Sequence, residues 1–137
     1  MKHILKSIAV AAFILISSTS CSQDARKIVE TAISEGNKEC PVAATSDITM
    51  VSMTVEDNAV VYTYLILENE LQAEEVADII DEGSFKNSFN SNDQNKTLLL
   101  NMIEANMGLI ARFKGAKSGY SVEHHYSPED VRQWSTY

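Results

Sequence analysis

The chain has 137 residues, with 11 Lys and Arg against 19 Asp and Glu, a formal net charge of −8 at pH 7. That balance argues against nucleic acid and against docking on anionic lipid, both of which reward basic patches. The length suits one domain around one core.

In chain order, the first feature is at the N-terminus. Met1 to Lys6 carry Lys2 and Lys6, Ile8 to Ile16 are apolar without a break, and Ser17-Ser18-Thr19-Ser20 lead into Cys21. This is the charged, apolar and small-residue layout of a secretory signal. The apolar run is too short for the ~20 residues that span a bilayer. A cysteine directly after the small residues resembles the lipobox of bacterial lipoproteins. Ser18 stands where an aliphatic residue is usual, a looser version similar to that of Bacteroidota proteins. The resemblance implies cleavage before Cys21, a diacylglycerol on its thiol and often an acyl chain on the new amine. Ser22-Gln23-Asp24 resembles the polar, acidic tag that sends some such lipoproteins to the outer face of the outer membrane. The alternative is ordinary cleavage and a free secreted protein. Two or more acyl chains anchor a protein stably, so the folded part needs no membrane-binding helix of its own. The expected organisation is a signal peptide over 1–20, a lipidated tether over 21–23 and one α+β domain over 24–137.

Without Lys2 and Lys6 the mature chain keeps 9 basic against 19 acidic residues, a net charge of −10. This charge permits a basic protein partner or a cationic ligand, while solubility is the plainer reason for an acidic surface. Once Cys21 is lipidated only Cys40 remains, so no internal disulfide forms and the fold rests on its hydrophobic core.

Asp24 can cap a first helix over about 24–35, with Ile28, Val29, Ala32 and Ile33 on one face and Gly36 as its stop. A connection containing Pro41 leads to two β-rich runs, 48–55 and 59–67, separated by Glu56-Asp57-Asn58, which predicts an antiparallel hairpin. The second run is apolar on both faces and reads as a central strand. Over 70–107 the pattern is helical. Leu71, Val76, Ile79 and Ile80 form one stripe opposite Glu70, Glu74, Glu75, Asp78, Asp81 and Glu82. This helix ends at Gly83 or continues to about Ser91. Asn92 and Asp93 then start another helix that carries Leu98, Leu99, Met102 and Ile103. A second hairpin follows, 109–114 and 120–126 around the loop 115–119. Ser127-Pro128-Glu129-Asp130 starts a short last helix that packs back through Val131 and Trp134. The order α-β-β-α-α-β-β-α predicts an antiparallel sheet of about four strands, in two hairpins, packed with helices.

Asn37-Lys38-Glu39-Cys40-Pro41, the Val61-Tyr62-Thr63-Tyr64 strand, the Leu109–Lys114 strand and the glycine-containing turn together resemble a family of small Bacteroidota-type envelope lipoproteins of unknown function. The resemblance covers about 28–126. It implies an envelope location and an α+β fold, and supplies no catalytic residues.

No motif commits the chain to a chemistry. Glu123-His124-His125 is the one metal-like run. Adjacent strand residues face opposite ways, so Glu123 and His125 share a face while His124 does not, and a structural zinc site wants four ligands. The acidic helix face reads as solvated rather than as a glycosidase carboxylate pair, which needs an apolar cleft. Cys40 reads as a structural thiol, since no base can be assigned to it by spacing. There is no nucleophile elbow and no phosphate loop. Asn95-Lys96-Thr97 fits a glycosylation pattern that bacterial lipoproteins do not normally use. Tyr62, Tyr64, Phe113, Tyr120 and Tyr126 read as core and cross-strand aromatics rather than a binding strip.

No cofactor or metal is indicated, and Cys21 is the one assigned site. The expected function is that of a membrane-anchored, non-catalytic binding or accessory module of the bacterial envelope, at the outer membrane. Two alternatives stand beside it. One is an inhibitor or immunity protein against a basic enzyme or toxin, suggested by the charge. The other is a small hydrolase.

Overall fold

The computed structural model describes residues 25–136. The signal segment, Cys21 with its tether, and Asp24 therefore lie outside the described residues. The elements are α1 (Ala25–Lys38), β1 (Val42–Ala43), β2 (Ile48–Glu56), β3 (Ala59–Ile66), α2 (Ala73–Ile79), α3 (Glu82–Phe89), α4 (Asp93–Glu104), β4 (Gly108–Gly115), β5 (Ser121–Tyr126) and α5 (Pro128–Arg132).

The α+β class holds, but the sheet differs from the expected four antiparallel strands. It has five strands in the order β1-β2-β3-β4-β5, and it is mixed. Both expected hairpins, β2–β3 and β4–β5, are antiparallel, yet β3 and β4 pair in parallel from Ala59↔Gly108 to Ile66↔Gly115. The cause is the connection between them. A parallel pair needs a crossover of a dozen or more residues, and α2 to α4 supply one that returns the chain to the end where β3 began. The fifth strand, β1, is short. It pairs Val42 with Met50 and Ala43 with Thr49 inside the predicted connection.

The helical segment also divides differently. The break comes at Ile80 and Asp81, not at Gly83. Asp81 accepts a hydrogen bond from the Ser84 N–H at 3.0 Å, and Ser84 Oγ donates back to the Ile79 carbonyl at 3.1 Å. An N-cap aspartate with its own partners starts a new helix, so Phe85 and Phe89 belong to α3. Asn92 caps α4 as expected, accepting from the Asn95 N–H at 2.8 Å. α1 runs three residues beyond its predicted end. Ser127 caps α5 through the reciprocal Ser127–Asp130 bonds read from the sequence.

One face of the sheet, carrying Val60, Tyr62, Tyr64 and Ile66 of β3 with Leu109, Ala111 and Phe113 of β4, forms the core with the apolar sides of the helices. Trp134 closes one end. Its ring stacks on Phe85 and Phe89, and Nε1 donates to Glu82 at 3.0 Å. Val61 and Thr63 on the opposite face are buried too, as befits the central strand of the sheet.

Candidate functional site

Two buried carboxylates that sequence reading passed over organise one end of the sheet. Glu68 follows β3 in the left-handed region, at φ 65°. Its carboxylate accepts from the N–H groups of Ala73 (3.1 Å), Lys117 (2.9 Å) and Ser118 (2.7 Å), and from Ser118 Oγ (2.9 Å). The Ser118 and Ala73 N–H bonds lead in holding its pKa down at about 2, against the opposing effect of burial. Asp47 accepts from the N–H groups of Asn69 (2.8 Å), Glu70 (3.3 Å) and Leu71 (3.1 Å). Burial pushes its pKa up, but these three bonds and the Lys117 charge outweigh it, so the net shift is downward. Together the two acids tie the start of β2, the β3–α2 turn and the β4–β5 loop into one unit. Gly115 makes room for it, because a Cβ there would lie 2.6 Å from both Glu68 Oε1 and Ser118 Oγ. The acids and their donors come from three separate segments of the chain, so the unit braces them together. No local sequence signal marks Glu68, since Lys117 and Ser118 lie 49 and 50 residues away.

The face of the sheet away from the core carries an ionic ladder. Arg112 on β4 lies between Glu56 on β2 (Nη1–Oε2, 3.3 Å) and Glu123 on β5 (Nε–Oε2, 2.5 Å), and His125 Nε2 lies 2.8 Å from Glu123 Oε1. The hydrogen bonds that Arg112 donates to Glu123 and Glu56 raise its pKa, and the bonds Glu123 makes with Arg112 and His125 lower that of Glu123. Beside the ladder, at the β2–β3 hairpin end, an open cavity of about 520 Å³ is lined by Glu56, Asp57, His125, Tyr126 and Asp130 among others. A second groove, about 310 Å³, runs between α1 and β2 over Ile33, Asn37, Met53 and Val55.

The residues singled out in the sequence disperse over this frame. Glu123 and His125 share a face and touch, as the strand period requires. His124 turns to the helix side, with its ring edge-on to Phe113 at 5.6 Å. Among the described residues no three His, Cys, Asp or Glu side chains converge on one point. The acids of the 70–82 stretch are exposed. Cys40 is half-buried next to a cis Cys40–Pro41 peptide, with Sγ 3.8 Å from the Gly36 carbonyl. Burial and then the Glu39 charge raise its pKa, the opposite of what a nucleophile needs. Tyr62, Tyr64 and Phe113 are wholly buried, and Tyr120 and Tyr126 pack at the margin of the core, so no aromatic strip is presented. Cys21 lies outside the described residues.

Neither a family model nor a curated protein sequence matches the chain. Among solved structures, the fold is similar to three. One is a protein from Pseudomonas aeruginosa assigned as secreted, with a TM-score of 0.58 and 20% identity over 84% of this chain and 100% of that one. Another is AspS, the type II secretion system pilotin of Vibrio cholerae, with a TM-score of 0.52 and 12% identity over 80% of this chain and 94% of the other. The third is EpsS, a type 2 secretion pilotin of Vibrio vulnificus, with a TM-score of 0.52 and 6% identity over the same shares. At these identities the likeness is one of fold.

Proposed function

We propose that this protein is a lipid-anchored accessory module of the bacterial cell envelope, held at the outer membrane through Cys21, that works by binding a protein partner rather than by catalysis. The observation that carries this reading is the coincidence of two independent features. The N-terminal segment has the layout of a lipoprotein signal ending at Cys21, and the folded part has the fold of two secretion-system pilotins and of a protein assigned as secreted. The fold supplies what such a module needs: a braced sheet with an open polar face and an accessible edge. Membership of the Bacteroidota-type lipoprotein family belongs to the same proposal.

The cavity lined by Glu56, Asp57 and Asp130 favours a basic partner, in keeping with the mature chain's net charge of −10. Inhibition of a basic enzyme is the form of this reading that the acidic cavity supports.

The test is fractionation of cells expressing the wild-type chain or Cys21→Ser, with metabolic labelling by an alkyne fatty acid. The wild type should take up label and fractionate with membranes through a high-salt wash, and Cys21→Ser should do neither. Membrane retention of unlabelled Cys21→Ser would reject the anchor.

A further inference from the structure

The two edges of the sheet are not alike. At one edge β1 is only two residues long, β2 is bulged between Met50 and Ser52, and Asn37 Oδ1 accepts from the Met53 N–H at 2.9 Å. Short strands, bulges and side-chain bonds are devices that stop an edge from pairing with another chain. The other edge, β5, has none of them. It pairs with β4 in unbroken register over six residues, Ser121 to Tyr126, with no proline and no bulge.

The register fixes which backbone groups that edge offers. The Gly115 N–H donates to the Tyr120 carbonyl at 2.8 Å, one of the two bonds of a hydrogen-bonded pair and enough to set the phase of the ladder, while the Tyr120 N–H turns to Ser118 Oγ. In an antiparallel ladder such pairs recur every second residue, which makes Phe113/Val122, Ala111/His124 and Leu109/Tyr126 the bonded pairs. The N–H and C=O groups of Ser121, Glu123 and His125 therefore point away from β4. No described residue bonds to them, and the side chains of Glu123 and His125 are 36% and 62% exposed.

We propose that β5 is a self-association edge whose occupant is a second copy of this chain, joined antiparallel about a twofold axis at His124. In that register Glu123 and His125 of one copy face His125 and Glu123 of the other. These are the residues with outward backbone groups, so each such pair exchanges two main-chain bonds. The imidazole can donate an N–H to the facing carboxylate. On the helix-side face Val122 meets Tyr126, an apolar pair, at both ends. The strand is thus complementary to itself in backbone phase, side-chain hydrogen bonding and apolar character, as an isologous contact must be. A register centred on Glu123 sets carboxylate against carboxylate, and one centred on His125 leaves only three residues of overlap. The product is a continuous ten-stranded sheet with the two ionic ladders on one face. This inference does not depend on the lipid anchor.

The test uses the purified full chain with Cys21→Ser and Cys40→Ala, which removes both native cysteines so that introduced thiols report alone. Residue 124 lies opposite itself as a non-bonded pair, with Cα atoms about 4.5 Å apart, within disulfide reach. Mild oxidation should convert His124→Cys to a covalent dimer and leave Ser121→Cys largely monomeric. Sedimentation of the wild type should give a dimer mass. His125→Pro, which removes an outward N–H without touching the β4 ladder, should weaken self-association at least tenfold while the circular dichroism spectrum stays unchanged. A monomeric wild type, equal cross-linking at both positions, or undiminished association of His125→Pro would each overturn the proposal. So would cross-linking of His124→Cys exclusively to a different polypeptide in whole envelopes.

Discussion

Tyr64 and Phe113 are register partners across the parallel seam of β3 and β4, and their rings stack 5.2 Å apart at an interplanar angle of 13°. The two residues are 49 positions apart in sequence, and both are fully buried. Their contact is where the crossover of three helices locks the two hairpins into one sheet.

Phe113→Ala should therefore be severe. Truncating a buried aromatic costs about 3–5 kcal/mol, against about 5–15 kcal/mol for a whole domain. Asp78→Ala, on the exposed side of α2, should stay within about 0.5 kcal/mol of wild type. Glu75 is a poorer control, because its carboxylate accepts from the Gln72 N–H at 3.1 Å and caps α2. Urea denaturation of the two variants checks the contrast. Equal destabilisation would mean that the seam is not part of the core.

The Glu68 brace predicts a specific acid sensitivity. Its pKa is about 2 in the folded protein, against ~4.3 for an unfolded glutamate. A depressed carboxylate contributes fully above its unfolded value, and the contribution is lost as pH falls through the folded one. Wild-type stability should accordingly drop between about pH 5 and pH 2. Glu68→Gln should be less stable than wild type at pH 7 and should lose less over that acid range, so that the two melting curves converge. Thermal melts across the range would expose the error if the curves stay parallel.

Gly115 and Glu68 should behave as one unit. An alanine Cβ at position 115 would lie 2.6 Å from both Glu68 Oε1 and Ser118 Oγ, so the carboxylate or the serine has to shift and the bonds from the N–H groups of Lys117 and Ser118 are strained. Gly115→Ala and Glu68→Ala should each destabilise, and the double variant should lose clearly less than their sum, as groups in one network do. A double-mutant cycle by urea denaturation measures this. Strict additivity would separate the two residues.

Cys40 should be dispensable. Its raised pKa keeps the thiol protonated at neutral pH, so alkylation of the native protein should be slower than that of a free thiol. Cys40→Ala should cost about 1 kcal/mol or less. Rapid labelling of the native thiol by iodoacetamide would contradict the assignment.

Local pattern carried much of this molecule. The Ser127-Pro128-Glu129-Asp130 start of α5, the Asn92 cap and the face shared by Glu123 and His125 are short-range consequences of capping chemistry and strand period, and all stand in the structure; the Glu56-Asp57-Asn58 turn stands too, shortened to Asp57-Asn58 because Glu56 pairs with Ala59. The buried aromatics of β3 could be read because a central strand is apolar on both faces. The N-terminal segment through Cys21 is legible only as sequence.

What the sequence could not decide was how the pieces meet. Whether β3 joins β4 in parallel depends on the path of a 41-residue helical connection (67–107), not on either strand. The break at Asp81 depends on which side chain reaches which backbone group. Glu68 looked like any acid in a polar turn. It became the brace only when a loop some 50 residues later brought three donors to it. A carboxylate's role is set by where its partners end up, and chain distance hides them. The open edge at β5 has the same origin: which strand lies outermost is a property of the assembled sheet, because every strand carries the same backbone groups and only pairing decides whose remain free.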